Sequence, residues 1–268
     1  MKLVSLLVVR VVFVDPDDME AWEAAITPKT RVLFTETIGN PSGSITDVEA
    51  LGRLAKSSGV PLLVDNTFAT PYLCRPIDWG ATIVTHSATK FMGGHGTSIG
   101  GLVVDSGEFD FSHYPTIAEP SEAYHGLRFY DTFGHYGFLM KLRAETVRDT
   151  GACISPFNSF LLLQGLETLS LRMERHVQNA QGVAEFLQDH RGVSQVHYAG
   201  LRTHRHHERA HLAATDQRPD DRGRIGEQVD VAADQVGHRR SAALVVDHGE
   251  LGPRLFHEQQ SRQQRRPG

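Results

Sequence analysis

Thr82-Ile83-Val84-Thr85-His86-Ser87-Ala88-Thr89-Lys90-Phe91-Met92-Gly93-Gly94-His95-Gly96 is the stretch on which both fold and chemistry turn. Its first half is short, apolar and β-branched, and predicts a strand over 82–87. Its second half sets a lysine after hydroxyl residues at i−3 and i−1 and before a glycine-rich loop. Lysine is scarce here, with five in the whole chain. Hydroxyls and loop N–H groups suit a phosphate, and a desolvated lysine amine can act as a Schiff-base nucleophile. The plain alternative is a surface lysine beside a flexible loop. The glycines make neither a P-loop, because no Gly-Lys-Ser/Thr follows at the required spacing, nor a dinucleotide fingerprint, because Gly94-His95-Gly96 lacks a glycine three residues on. His86 and His95 have no third ligand at metal-site spacing, so no metal is expected, and Ser98 does not sit in a nucleophile elbow.

Outward from this stretch, apolar runs at 3–14, 31–36, 61–65 and 101–105 alternate with helical patterns. That alternation is the signature of an α/β fold with a mainly parallel sheet covered by helices. A helix is expected over 17–26. Another should start at a capping box formed by Thr46 and Glu49, bury Val48, Leu51, Leu54 and Ala55, and stop at Gly59. From 158 to 190 a long apolar periodicity predicts helix, broken at Gly165 and Gly182, and 193–198 looks like a strand opening a second domain.

At the C-terminal end of the strand over 61–65 stands Asp65. Ligands of open α/β sheets bind at such ends, although a turn or N-cap aspartate reads equally well there. Glu36-Thr37-Ile38-Gly39-Asn40-Pro41-Ser42-Gly43 reads by its own chemistry as a turn after a strand.

The chain has 268 residues, 40% hydrophobic and 22% charged, which is ordinary globular composition. A net charge of −5 argues against nucleic-acid binding. Two cysteines without CxxC pairing fit a reduced, cytoplasmic protein. No run reaches the roughly 20 apolar residues of a membrane span. The apolar start faintly resembles a signal peptide, but Arg10 interrupts it and no small-residue cleavage site follows, so a buried strand is expected. After Leu201 the hydrophobic pattern lapses. Residues 202–268 hold no lysine and many Arg, His, Gln and Asp, which predicts a tail that is disordered or translated out of frame. His204, His206, His207 and His211 in that tail have spacing that fits no zinc site.

Glu36–Gly43, Val64–Tyr72 and His86–Gly101, in this order and spacing, resemble the Cys/Met-metabolism family of pyridoxal-phosphate (PLP) enzymes, a fold-type I group. The resemblance covers roughly 12–201. Within the family, the Ser87–Gly96 stretch is similar to the O-acetylhomoserine sulfhydrylases, as are Glu119-Pro120, Tyr124-His125-Gly126, Thr150-Gly151-Ala152 and Ser155-Pro156-Phe157-Asn158. The resemblance implies Lys90 as the catalytic residue that holds PLP and moves protons. It implies Asp65 on the pyridinium nitrogen, Ser87 and Thr89 on the phosphate, and Asn40 on the phenolic oxygen. The implied reaction exchanges the acetate of O-acetylhomoserine for sulfide to give homocysteine, or for methanethiol to give methionine. A γ-lyase or γ-synthase of the same family, or an inactive remnant, are the alternatives. The implied organisation is a partial PLP-binding large domain over 1–150, a helical connection and start of a C-terminal domain over 151–201, and the tail over 202–268. The family assembles as homo-oligomers. Its N-terminal tyrosine and phosphate contacts, and the arginine that clamps the substrate carboxylate, find no counterpart here, so a fragment is expected.

Overall fold

The computed structural model describes residues 9–210 and the backbone of 243–248. Six strands form one sheet: β1 (Val9–Val14), β2 (Thr30–Glu36), β3 (Leu62–Asp65), β4 (Ile83–Ser87), β5 (Gly101–Asp105) and β6 (Ala243–His248), in the order β1-β6-β2-β3-β4-β5. β2, β3 and β4 pair in parallel, β5 is antiparallel to β4, and β6 is antiparallel to both β1 and β2. Four of the six strands therefore run one way, as the alternating pattern predicts.

Period-2 alternation places the core on both faces. Leu33, Leu62, Val64 and Val84 pack with Trp22, Leu51 and Ala55 from the helices α1 (Met19–Ala25) and α2 (Val48–Ser58). On the opposite face Ile83 and Leu63 meet Phe111, Ile117 and Phe129, which come from a run of short helical turns between 111 and 150. A third cluster joins Ile38, Leu73 and Met92 to Leu169, Met173 and Val177. The last three lie on one stripe of the long helix α5 (Leu169–Gln188), which follows α4 (Pro156–Glu167). A single turn, α3 (Thr70–Leu73), leaves the end of β3.

Three expectations need correction. Helix α2 is capped by Asp47, whose side chain accepts from Ala50 N at 2.9 Å. The Thr46 hydroxyl is already committed to the Glu36 carbonyl at 2.8 Å and to Thr35 Oγ1 at 2.9 Å, while Glu49 pairs with Arg53 at 2.6 Å, so no capping box forms. Gly59 does stop the helix, in the left-handed conformation at φ 64°. The α4–α5 break falls at Thr168, not at Gly165 or Gly182. Gly165 instead serves close packing, because a Cβ there would overlap the Gly93 carbonyl oxygen. Finally, 193–198 forms no strand. Tyr198 and Leu201 turn inward against Ala184 of α5, which satisfies their apolar surface without a strand partner.

The part of the expected tail over 202–210 packs onto the domain. His206, 3% exposed, accepts Ile45 N–H on Nδ1 at 3.0 Å and bonds Asp17 Oδ2 through Nε2 at 2.9 Å. Its neutral form therefore carries the proton on Nε2. Arg209 bonds Asp17 and, at 3.1 Å, the Ile45 carbonyl; Arg205 also pairs with Asp17. Positions 211–242 and 249–268, which include His211, lie outside the described residues.

Burial works to raise the Asp17 carboxyl, but hydrogen bonds from Arg209 and His206 outweigh it and hold it below its ordinary value. Burial lowers His206 against the pull of Asp17. Burial, reinforced by the His206 and other nearby charges, takes His204 down to about 4.

Protonating His206 would place a proton on Nδ1 and break the Ile45 bond. Both histidines have lowered folded-state values. Their stabilisation is complete above the ordinary histidine value of about 6.5 and is lost as pH falls through the folded values, for His204 about 4. The urea midpoint is therefore expected to fall between pH 7.5 and 5.5, and replacing both His204 and His206 by Gln should reduce that fall. His86, also lowered by burial, keeps a contribution of the same sign in the variant. Equal pH dependence in the two chains would count against the linkage.

Asn66 is fully buried, accepts from Thr37 Oγ1 at 2.6 Å, and donates to the carbonyls of Thr70 at 3.1 Å and Cys74 at 2.8 Å. Asn66→Ala leaves those groups unsatisfied and should cost about 1–3 kcal/mol or more in denaturant unfolding.

Candidate active site

The C-terminal ends of β2, β3 and β4 open on a cavity of about 600 Å³, well within the size range of small-molecule sites. All five residues expected from the sequence line it: Asn40, Asp65, Ser87, Thr89 and Lys90. Parallel pairing explains the convergence, since Asp65 sits opposite Glu36 in β2 and opposite Thr85, two residues before Ser87, in β4.

Asp65 is at once a turn residue and part of the cavity wall. Its Oδ1 accepts Thr67 N–H at 2.9 Å and shapes the turn that leaves β3, while the carboxylate also faces the cavity. Glu36 accepts Asn40 N–H on Oε2 at 2.9 Å, which fixes the start of the Asn40–Pro41 turn. Burial raises the Glu36 carboxyl; the Asn40 N–H opposes this and the neighbouring Asp65 charge reinforces it. Two carboxylates thus stand side by side at the strand ends.

Ser87 N donates to Thr67 Oγ1 at 2.8 Å, which leaves the Thr67 hydroxyl proton available to a ligand. Thr89 differs, because its hydroxyl donates to Gly100 O at 3.2 Å and accepts from Gly100 N at 3.1 Å. It lines the cavity with its proton already engaged, and it ties the Lys90 turn to the chain just before β5. Lys90 lies on the exposed side of the turn after β4, so the burial expected for it is not found: the turn carries it into the open mouth of the cavity. Among the described residues, its Nζ makes no hydrogen bond or ion pair.

His86 is buried, and burial lowers its pKa. His95 Nδ1 bonds Gly93 O at 2.7 Å. His86 Nδ1 has no hydrogen-bond partner among the described residues, and no three His, Cys, Asp or Glu converge there as metal ligands.

Glu36, Thr67, Phe68, Arg172 and His176 also line the cavity and were given no role from the sequence. Arg172 and His176 lie one helical turn apart beside the buried stripe of α5, a signal that marks a face but not its destination. One amine, two carboxylates and three hydroxyls around one cavity suit a ligand with a cationic ring nitrogen, an electrophilic carbon and an anionic tail.

The Cys/Met metabolism PLP-dependent enzyme family model matches residues 1–218, past the boundary expected at Leu201. A homocysteine synthase of Schizosaccharomyces pombe is 51% identical over 203 residues, 74% of this chain and 47% of the relative. An O-acetyl-L-homoserine sulfhydrylase of Leptospira meyeri is 45% identical over 228 residues, 81% of this chain and 50% of the relative. A crystal structure described as an O-acetylhomoserine (thiol)-lyase of Campylobacter jejuni, containing N'-pyridoxyl-lysine-5'-monophosphate, superposes with TM-score 0.71 at 35% identity. It covers 74% of this chain and 50% of that one. The chain spans about half the length of the curated relatives it matches. The family match and the cavity at the parallel strand ends agree, and this chain belongs to the Cys/Met-metabolism family of PLP-dependent enzymes.

Proposed function

We propose that this chain binds pyridoxal phosphate through Lys90 and carries the cofactor-binding part of an enzyme that replaces the acetoxy group on Cγ of O-acetylhomoserine with sulfide, giving homocysteine and acetate. With methanethiol the product is methionine. The observation that carries the reading is Lys90 and Asp65 on one cavity at the ends of parallel strands, in a chain whose relatives are named for this chemistry.

The donors fit the cofactor. Asp65 holds the proton on the ring nitrogen, Ser87 and Thr67 donate to the phosphate, and Asn40 bonds the phenolic oxygen. Thr89 serves the phosphate site by pinning its turn. When bound, pyridoxal phosphate supplies an electron sink for the substrate carbons. Lys90 Nζ takes and returns protons at those carbons, and the open cavity admits the substrate beside it. We assign this role to a large domain over 1–150, with 151–201 as the connection to a C-terminal domain.

A reducing, cytoplasmic setting fits two free cysteines, with the buried Cys74 thiol pushed up to about 12 by burial. No helix among the described residues is long and apolar enough to cross a membrane. Exposed Phe157, Phe160 and Leu163 on α4 support a homo-oligomer.

Borohydride reduction of the chain with pyridoxal phosphate should add the phosphopyridoxyl mass at Lys90, and Lys90→Ala should lose it. Asp65→Asn removes a charge-assisted bond worth about 1.5–3 kcal/mol, a tenfold to hundredfold weaker retention. Labelling spread evenly over the lysines would sink the reading. With O-acetylhomoserine and sulfide, homocysteine supports replacement, 2-oxobutanoate indicates elimination, and labelling without product indicates a silent remnant.

A further inference from the structure

Arg172, in the first turn of α5, reaches across to the turn that bears Lys90. Its Nη1 donates to Phe91 O at 2.7 Å, and its Nη2 donates to Met92 O at 3.3 Å and to Gly165 O at 2.6 Å. Its Nε donates to Thr168 Oγ1 at 3.1 Å. Every one of these acceptors is neutral, and no carboxylate pairs with this guanidinium among the described residues. Burial lowers its pKa. A partly desolvated cation spent on backbone carbonyls is costly unless the carbonyls need holding.

The carbonyls in question immediately follow Lys90. Gly93 N bonds Ala88 O at 2.9 Å and Gly94 N bonds Lys90 O at 2.8 Å, so the turn is closed by its own hydrogen bonds. Close approach is built into its sequence. A Cβ on Gly94 would lie 2.5 Å from Arg172 Nη1, and one on Gly93 would lie 2.7 Å from Leu162 of α4. Phe91 is held on its other side, its ring edge-on to Phe68 at 5.9 Å and to His176 at 5.7 Å.

We propose that Arg172 is a positioning residue for Lys90: by clamping the Phe91 and Met92 carbonyls to the α4–α5 corner, it fixes where the lysine side chain enters the cavity. The proposal rests on Lys90 being the cofactor lysine. A planar fork suits this task, because its fixed donors reach two carbonyls of the turn, one of helix α4 and the Thr168 hydroxyl at once, which a three-donor ammonium cannot.

The test uses the whole chain as wild type, Arg172→Met, Arg172→Lys and Gly94→Ala. Each is titrated with pyridoxal phosphate, reduced with borohydride and peptide-mapped, with Lys56 and Lys141 as internal controls and circular dichroism to confirm the fold. Arg172→Met should weaken labelling at Lys90 by about tenfold or more, since misplacement by an ångström is costly. It should also change the rate of labelling at Lys90 relative to Lys56 and Lys141, a ratio that a general loss of fold would not shift selectively. Methylguanidinium should restore part of the loss, and Arg172→Lys should fall between the two. Gly94→Ala crowds the guanidinium but also strains a left-handed residue at φ 71°, so its loss should resist methylguanidinium; Arg172→Lys serves if Arg172→Met does not fold.

Wild-type affinity and relative Lys90 labelling rate in Arg172→Met would overturn the proposal, as would losses in that variant that merely track lost fold and ignore methylguanidinium. If wild type itself takes no label at Lys90, the cofactor reading fails, and acylation by an amine reagent without cofactor then decides the clamp. A Lys90 rate, relative to Lys56 and Lys141, that is the same in wild type and Arg172→Met overturns it; a changed rate supports it.

Discussion

The Asn66 side chain, buried at the top of β3, is the tie on which the site depends. Through it the chain just past β2, the turn after β3 and the helical turn α3 share one set of hydrogen bonds. One residue later Thr67 takes the Ser87 N–H and extends the tie to β4. Parallel strands deliver their ends to a common edge, but the turns beyond them could leave in many directions. These bonds choose one direction for each, so that Glu36, Asp65 and Ser87 present their polar groups to a shared volume.

The resulting field is mixed in a useful way. Glu36 and Asp65 form a negative patch at the strand ends, while Lys90 and Arg172 bring positive charge from the turn and from α5. A ligand with a cationic nitrogen at one end and an anion at the other has a preferred orientation before any particular contact is made. The raised Glu36 carboxyl is the cost of crowding like charges in a half-buried place, with burial the larger part.

Much of this was legible beforehand. The strands at 31–36, 61–65, 82–87 and 101–105 followed from β-branched runs between turn residues, and the five expected site residues converge on one cavity because they stand at or just past strand ends. What stayed hidden was tertiary. Nothing local ties Arg172 to Phe91, 81 residues away, or shows that Gly165 is small to admit Gly93. Thr46 looked like a cap because the competing Glu36 carbonyl lies in another element. Asp17 and His206 likewise carry no mark of each other. Low hydrophobicity after Leu201 correctly described the composition there but missed that two arginines and a histidine share one buried-side carboxylate.

That last pairing has a consequence for how the chain is made. Asp17 and His206 are 189 residues apart. A ribosome adding roughly 5–20 residues per second takes on the order of 10–40 s to cover that distance. Throughout that interval the first helix exists without its partner, and the Ile45 backbone N–H that His206 will later accept has only water. The early elements must therefore survive synthesis on their own apolar packing around Trp22 and Leu33, and even after the clasp is made the sheet still waits for β6, the strand that enters between β1 and β2.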